Sequence, residues 1–162
     1  MSGWTSVERA LEYLSRADSI PRRTEGEAVL IEQLPEKVRR VLGTGEGRML
    51  GLVRLARPEA TGVALDFSPT MLERARERFA HDGAVRVVEH DLRYTLPDLG
   101  RFDAVVSSIA IHHLEDGRKR EPYGVVFDQL EPGGTFLHLD RVSSPTPALR
   151  RRFLLTMGRD PD

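Results

Sequence analysis

The stretch Val41-Leu42-Gly43-Thr44-Gly45-Glu46-Gly47-Arg48 decides the reading of this chain. Two apolar residues run into three alternating glycines. Met49, Leu50, Leu52, Val53, Leu55 and Ala56 then recur at helical spacing. Strand, tight turn and helix is the implied order. Glycine permits positive φ, and its missing Cβ lets a ligand lie against the backbone. The helix behind the turn aims its unpaired N–H groups at the same point. A flat or negatively charged ligand is expected there.

Composition sets the frame around this stretch. A chain of 162 residues is read as a single domain with a sizeable core. A hydrophobic content of 40%, a charged content of 30% and a net charge of −1 describe a globular protein with no overall pull toward nucleic acid or membrane. Without cysteine there is no disulfide framework, thiolate metal site or thiol nucleophile. No apolar run nears the roughly 20 residues of a membrane span. Met1–Thr5 lack the pattern of a secretion signal, so a cytoplasmic location is expected.

Upstream of the turn, Trp4–Ala17 carries one apolar helical stripe. Thr24-Glu25-Gly26-Glu27 has the form of a capping box that starts a second helix, running to Pro35. Val38–Leu42 is the expected first strand. Downstream, strands are expected at Thr61–Leu65, Ala84–Glu89, Phe102–Ser107 and Thr135–Val142. A helix capped by Ser68 with Pro69 at its first position turns Met71, Leu72, Ala75, Phe79 and Ala80 inward. A further helix is expected from Gly117 to Leu130, and Glu131-Pro132-Gly133-Gly134 reads as a turn. Ser143–Pro147 reads as a linker or the start of a helix.

Alternating strands and helices give an α/β fold: a doubly wound, Rossmann-like sheet of five mainly parallel strands, with helices on both faces and an N-terminal helical cap. Residues 1–35 form the cap, 36–142 the ligand-binding core and 143–162 a C-terminal helix and tail. Ligands bind such sheets beyond the carboxyl ends of the strands, where strand order reverses. Three polar features fall at those ends: the glycine turn, Asp66 and Asp91-Leu92. Asp66 stands about 20 residues past the turn, where an acid holds ribose hydroxyls in nucleotide-binding folds. Asp91 can accept from an exocyclic amine, and Leu92 can pack on a purine face. Together they point to an adenosine-containing ligand.

Here the chain resembles the class I S-adenosylmethionine-dependent methyltransferases of the small-molecule type. The matching pieces are Gly43–Gly47, Asp66-Phe67-Ser68-Pro69-Thr70-Met71-Leu72, Glu89-His90-Asp91-Leu92, Phe102–Ser108 and Glu131-Pro132-Gly133-Gly134, in order from about residue 36 to 142. The resemblance implies S-adenosylmethionine as cofactor and a small O- or N-nucleophile as methyl acceptor. It implies that Gly43, Thr44, Gly45 and Gly47 lie under the methionine portion and ribose, and that Asp66 holds the ribose hydroxyls. Phe67 and Met71 would pack near the adenine, Asp91 would bond its amine beside Leu92, and Ser107 and Ile109 would line the strand-four side. In the cap, Tyr13 and Arg23 are candidates for the cofactor's carboxylate, though a core-edge aromatic and a solvated arginine read equally well there. His112 and His113, just after strand four, are candidate bases for the acceptor, with His112 favoured. No metal site is expected.

Two departures from the family pattern stand out. Val41-Leu42 runs straight into Gly43, with no acidic-apolar pair between them. Drawing Glu36–Arg40 inward by two residues would restore the strand, and would push Arg39 and Arg40 toward the sheet at a cost if buried unpaired. The C-terminal strand pair of the family is also missing, which leaves strand five at an edge and suggests a homo-oligomer through it. A non-catalytic scaffold, or a fragment completed by a partner chain, is therefore the alternative to an enzyme. A nicotinamide-dependent oxidoreductase leaves Asp91 and the Pro-Gly-Gly element unexplained. Nucleic acid is disfavoured as a partner, since Arg150-Arg151-Arg152 is the one concentrated basic run and fits a solvated helix face.

Overall fold

The structure, a computed structural model, describes residues 19–20, 22–91, 93–111, 117 and 120–160. In chain order the elements are α1 (Arg23–Glu32), β1 (Arg40–Thr44), α2 (Arg48–Ala56), β2 (Thr61–Asp66), α3 (Pro69–Arg78), β3 (Val85–Glu89), β4 (Phe102–Ser108), α4 (Arg120–Gln129), β5 (Leu130–Leu139) and α5 (Pro147–Thr156). The strands form one sheet in the order β3-β2-β1-β4-β5, every pair parallel. From β1 the chain winds outward through β2 and β3, then returns to the other side of β1 for β4 and β5. The carboxyl ends of β1 and β4 therefore flank the reversal point.

Both faces of the central strands are buried, as a parallel sheet between helices requires. Alternation divides the residues. Val41, Ala64, Ala104 and Val106 pack with Met49, Leu50, Val53 and Phe79 on one face. Leu42, Val63, Leu65, Phe102 and Val105 pack with Leu96, Leu99 and Val126 on the other. Burying each large aliphatic side chain contributes about 1.5–3 kcal/mol. Met71, Leu72, Ala75 and Phe79 turn inward from α3 and its end as expected; Ala80, past the end of the helix, is exposed.

β1 corrects the expected Val38–Leu42 by two residues. Gly43 and Thr44 belong to the strand, paired with Ala64 and Leu65 of β2, and Gly43 also with Val106 of β4. The turn is thereby reduced to Gly45-Glu46-Gly47. Residues 36–39 stay outside the strand, and Arg39 and Arg40 remain exposed, so the expected cost of burying them does not arise. Asp103 Oδ2 accepts the backbone N–H groups of Arg39 and Arg40 at 2.8 and 2.9 Å. The Arg40 guanidinium turns outward, donating to the carbonyls of Arg101 and Leu99 and lying 5.0 Å from the centroid of the Phe102 ring. The arginines meet carbonyls, a ring and water at the foot of the sheet.

Two other expectations change, and one of two readings is settled. Thr24 does not cap α1: the N-cap is Arg22, at φ 60 and without a side-chain cap bond, and Glu27 turns into the core instead of back along the helix. Glu131-Pro132-Gly133-Gly134 is a bulge within β5, lying between the pairs Phe102–Leu130 and Ala104–Thr135, and the strand ends at Leu139. A Cβ on Gly134 would stand 2.9 Å from the Glu131 carbonyl oxygen, so the bulge needs glycine there. Ser143–Pro147 leads into a helix, α5, with Thr146 Oγ1 accepting the Leu149 N–H at 3.2 Å. No residue of α5 is buried, and β5 is the edge of the sheet among the described residues. The expected first helix, Trp4–Ala17, lies outside the described residues.

A Cβ built on Gly43 would stand 2.8 Å from Leu50 Cβ. Helix α2 thus lies against β1 through this glycine. Gly43→Ala is expected to destabilise the protein by about 1–3 kcal/mol, read as a lower urea midpoint at unchanged slope. An unchanged midpoint would show that the contact relaxes freely.

Candidate functional site

The carboxyl edge of the sheet gathers the glycine turn, Asp66, Asp91 and the end of β4. The three glycines do different work. Gly43 makes room for Leu50, and Gly47, at φ 79, makes room for the Phe79 ring, which a Cβ would approach to 2.4 Å. Their missing side chains serve helix packing. Gly45 alone, at φ 78, has nothing within 4 Å of its Cβ position. Beside it, Thr44 Oγ1 donates to Ser107 Oγ at 3.0 Å, tying the end of β1 to the end of β4 across the reversal point.

Asp66 ends β2. Its Oδ1 accepts the Ser68 N–H at 2.8 Å, and the backbone N–H groups of Phe67 and Gly45 also donate to the carboxylate. Burial nevertheless pushes its pKa up to about 6, outweighing those donors, and the charge of Asp91 adds to the rise. Ser68 occupies the expected N-cap position of α3, but its hydroxyl makes no cap bond and, although buried, has no partner among the described residues. An unpartnered buried hydroxyl two residues from a carboxylate of raised pKa is what a polar ligand would satisfy.

Asp91, past the end of β3, is already engaged. Oδ1 accepts the Arg93 N–H at 2.9 Å, and Oδ2 accepts from Arg93 Nε at 2.7 Å and from Arg93 Nη2. Burial acts to raise its pKa, and the Arg93 bonds outweigh it and hold the carboxyl below its ordinary range. Contacts with the described residues occupy three of its four lone-pair positions, leaving one on Oδ1 among them for an amine donor. The Arg93 guanidinium lies 5.9 Å from the centroid of Phe67 and 6.0 Å from that of Tyr94. Phe67 is half-buried and Met71 is buried behind it.

On the β4 side, Ser107 is buried and Ile109 holds φ 55, donating its N–H to the Leu139 carbonyl at 2.7 Å. Positive φ at a β-branched residue is strained, and here it falls at the mouth of the site. Arg23 is buried and donates from Nε to Glu27 Oε1 at 2.8 Å. Glu27 also accepts from Arg48 Nε at 2.8 Å and from Ser108 Oγ at 2.9 Å. Burial works to raise the Glu27 pKa; the bonds from Arg48, Arg23 and Ser108 overcome it and hold the carboxyl below its usual range.

The structure therefore brings Thr44, Gly45, Asp66, Phe67, Met71, Asp91, Ser107, Ile109 and Arg23 to one edge of the sheet. Tyr13, Leu92, His112 and His113 lie outside the described residues. Glu27, Arg48, Ser108 and Arg93 were not anticipated. Glu27 satisfied the spacing of a capping box and was assigned to it. Arg48, a charged residue directly behind the last glycine, was the available signal.

A family model for a methyltransferase domain matches residues 41–134. An uncharacterised methyltransferase of Mycobacterium tuberculosis is 38% identical over 125 residues, covering 76% of this chain and 60% of that protein. An O-methyltransferase family protein from Burkholderia thailandensis superposes with a TM-score of 0.71 at 27% identity, over 95% of this chain and 49% of that one. The glycopeptide N-methyltransferase MtfA, solved with S-adenosylmethionine, gives 0.57 at 27% identity, over 72% and 53%. The chain belongs to the class I S-adenosylmethionine-dependent methyltransferases, and it spans 60% of the length of the mycobacterial relative.

The raised Asp66 pKa has a consequence for the protein without ligand. The folded state holds a proton on Asp66 up to about pH 6, whereas the unfolded chain releases it near 3.8. Between these values the folded state binds more protons, so the contribution of Asp66 to stability is lost as pH rises. Urea midpoints across this range are expected to carry that falling component, and Asp66→Asn to remove it. The same slope in the variant would assign the effect to another group.

Proposed function

We propose that this chain forms the cofactor-binding part of a methyltransferase that transfers the methyl group of S-adenosylmethionine to an oxygen or nitrogen of a small molecule. The observation that carries this reading is the Asp66 carboxylate at the end of β2, which accepts the N–H of Gly45 in the open turn and stands beside Asp91. The residues fit the cofactor's parts. Ribose hydroxyls donate to Asp66, and the adenine amine takes the remaining position on Asp91 Oδ1. Phe67, Met71 and Leu92 supply apolar area for the ring. Thr44, Gly45 and Ser107 line the thioether region with Ile109, and Gly43 and Gly47 hold the turn in shape behind it. Arg23, with Tyr13, serves the carboxylate end.

The bound cofactor supplies an electrophilic methyl group and its leaving group. The protein's work is to bind, to align and to exclude water. An acceptor that must lose a proton needs a base, and His112 or His113, following β4, is assigned that role. O- and N-methyltransferases both stand among the similar structures, which supports either acceptor atom. No described helix is long and apolar enough to cross a membrane. The exposed Tyr123, Phe127, Val142, Leu149 and Phe153 fit a homo-oligomer formed on the β5 side of the molecule.

Calorimetry with S-adenosylhomocysteine tests the reading. Binding is expected with Kd on the order of 1–100 μM, and no detectable heat or competition would overturn it. Because a diol donates to an ionised carboxylate, affinity is expected to rise from pH 5 to 7, through the Asp66 pKa of about 6. Asp66→Ala is expected to weaken binding at least tenfold, about 1.4 kcal/mol, at pH 7.

A further inference from the structure

Glu27 is only 1% exposed. A carboxylate removed from water at that depth is retained only with charged or donating partners, because the desolvation cost is several kcal/mol. Among the described residues Glu27 has three such partners, and their positions are informative. Arg23 is the first residue of α1, Arg48 is the first residue of α2 directly after Gly47, and Ser108 is the last residue of β4. One carboxylate thus joins the starts of two helices to the end of a strand. It does so beside the point where strand order reverses.

The depth of Glu27 is set by its neighbour. A Cβ on Gly26 would stand 2.9 Å from Leu139 Cδ1, so the absence of a side chain lets α1 settle on the end of β5. The strand itself offers no acid here: β1 reads Arg40-Val41-Leu42-Gly43-Thr44 and passes directly into the turn. Among the described contacts, Glu27 is the carboxylate that bonds both the first residue of α2 and the last residue of β4, and it arrives from α1.

We propose that Glu27 is a positioning residue that fixes the Arg23 and Arg48 guanidinium groups beside the glycine turn, where they take the amino-acid end of the cofactor. This rests on the cofactor reading given above. The chemistry separates the two ends of that molecule. Its amino-acid end carries a carboxylate that guanidinium groups recognise. Its nucleoside end meets Asp66 and Asp91, which Glu27 does not touch. Disturbing Glu27 therefore weakens recognition of the amino-acid end alone, which a loss of folding would not do.

The test compares two ligands by calorimetry on wild type, Glu27→Gln and Arg48→Gln. S-adenosylhomocysteine has both ends; 5′-deoxy-5′-methylthioadenosine keeps the nucleoside and thioether and lacks the amino acid. Both variants are expected to lose about tenfold or more in affinity for the first and to stay within about twofold for the second. Arg48 is partly exposed at a helix start, so its variant decides the matter by the same criterion should Glu27→Gln fail to fold. Equal losses for both ligands, or no loss for either, would overturn the assignment of Glu27 while leaving the cofactor reading intact. Wild-type protein that binds neither ligand would overturn both.

Discussion

Asp103 places β1. Its carboxylate accepts two successive backbone N–H groups, those of Arg39 and Arg40, from a partner 64 and 63 residues away in the chain. That contact fixes where the strand begins and therefore which residues it presents to β2 and β4. With the start at Arg40, the pairs Val41–Ala104 and Leu42–Val105 put apolar side chains on alternate faces. Gly43 then falls opposite Leu50, where a helix can approach closely, and Thr44 reaches Ser107 at the carboxyl edge. A slip by one residue would exchange the faces and put Arg40 into the core. The shape of the glycine turn is a downstream consequence of this bond at the opposite end of the strand.

Much of this arrangement was legible in the sequence. β2, α3, β3 and β4 carry strong period signals, and the Ser68-Pro69 pair marked the start of α3. The start of β1 was not legible, because glycine is a poor strand signal and two arginines look like the end of an element. Only the distant Asp103 resolves that. The bulge of β5 was hidden for a related reason: Pro-Gly-Gly signals a break, and whether the flanking residues still pair with β4 is a tertiary fact.

The site divides in the same way. Asp66 and Asp91 were legible because they end apolar strands at the spacing of a nucleotide-binding fold. Glu27 was visible as a residue but not in its role, since a hydroxyl three positions earlier offered a local explanation that the fold does not use. Nothing in the linear order connects Glu27 to Ser108, which follows it by 81 residues. Arg93 stands only two residues from Asp91 and was equally unread, because pairing over two residues depends on the loop folding back. The acidic groups of the site thus fall into two kinds: Asp66, raised by burial, and Glu27 and Asp91, held ionised by arginine.

The central position of β1 also bears on biosynthesis. β1 pairs on one side with β2, which is made within some twenty residues, and on the other with β4, whose contacts lie more than sixty residues downstream. At about 5–20 residues per second, the far edge of β1 waits several seconds on the ribosome for its second neighbour. During that interval Val41 and Leu42 stand on an unpaired strand edge, and the Asp103 carboxylate that anchors their register has not been made. The sheet's central strand is thus an open edge while the chain is growing, and a chaperone that shields apolar edges would find its target there.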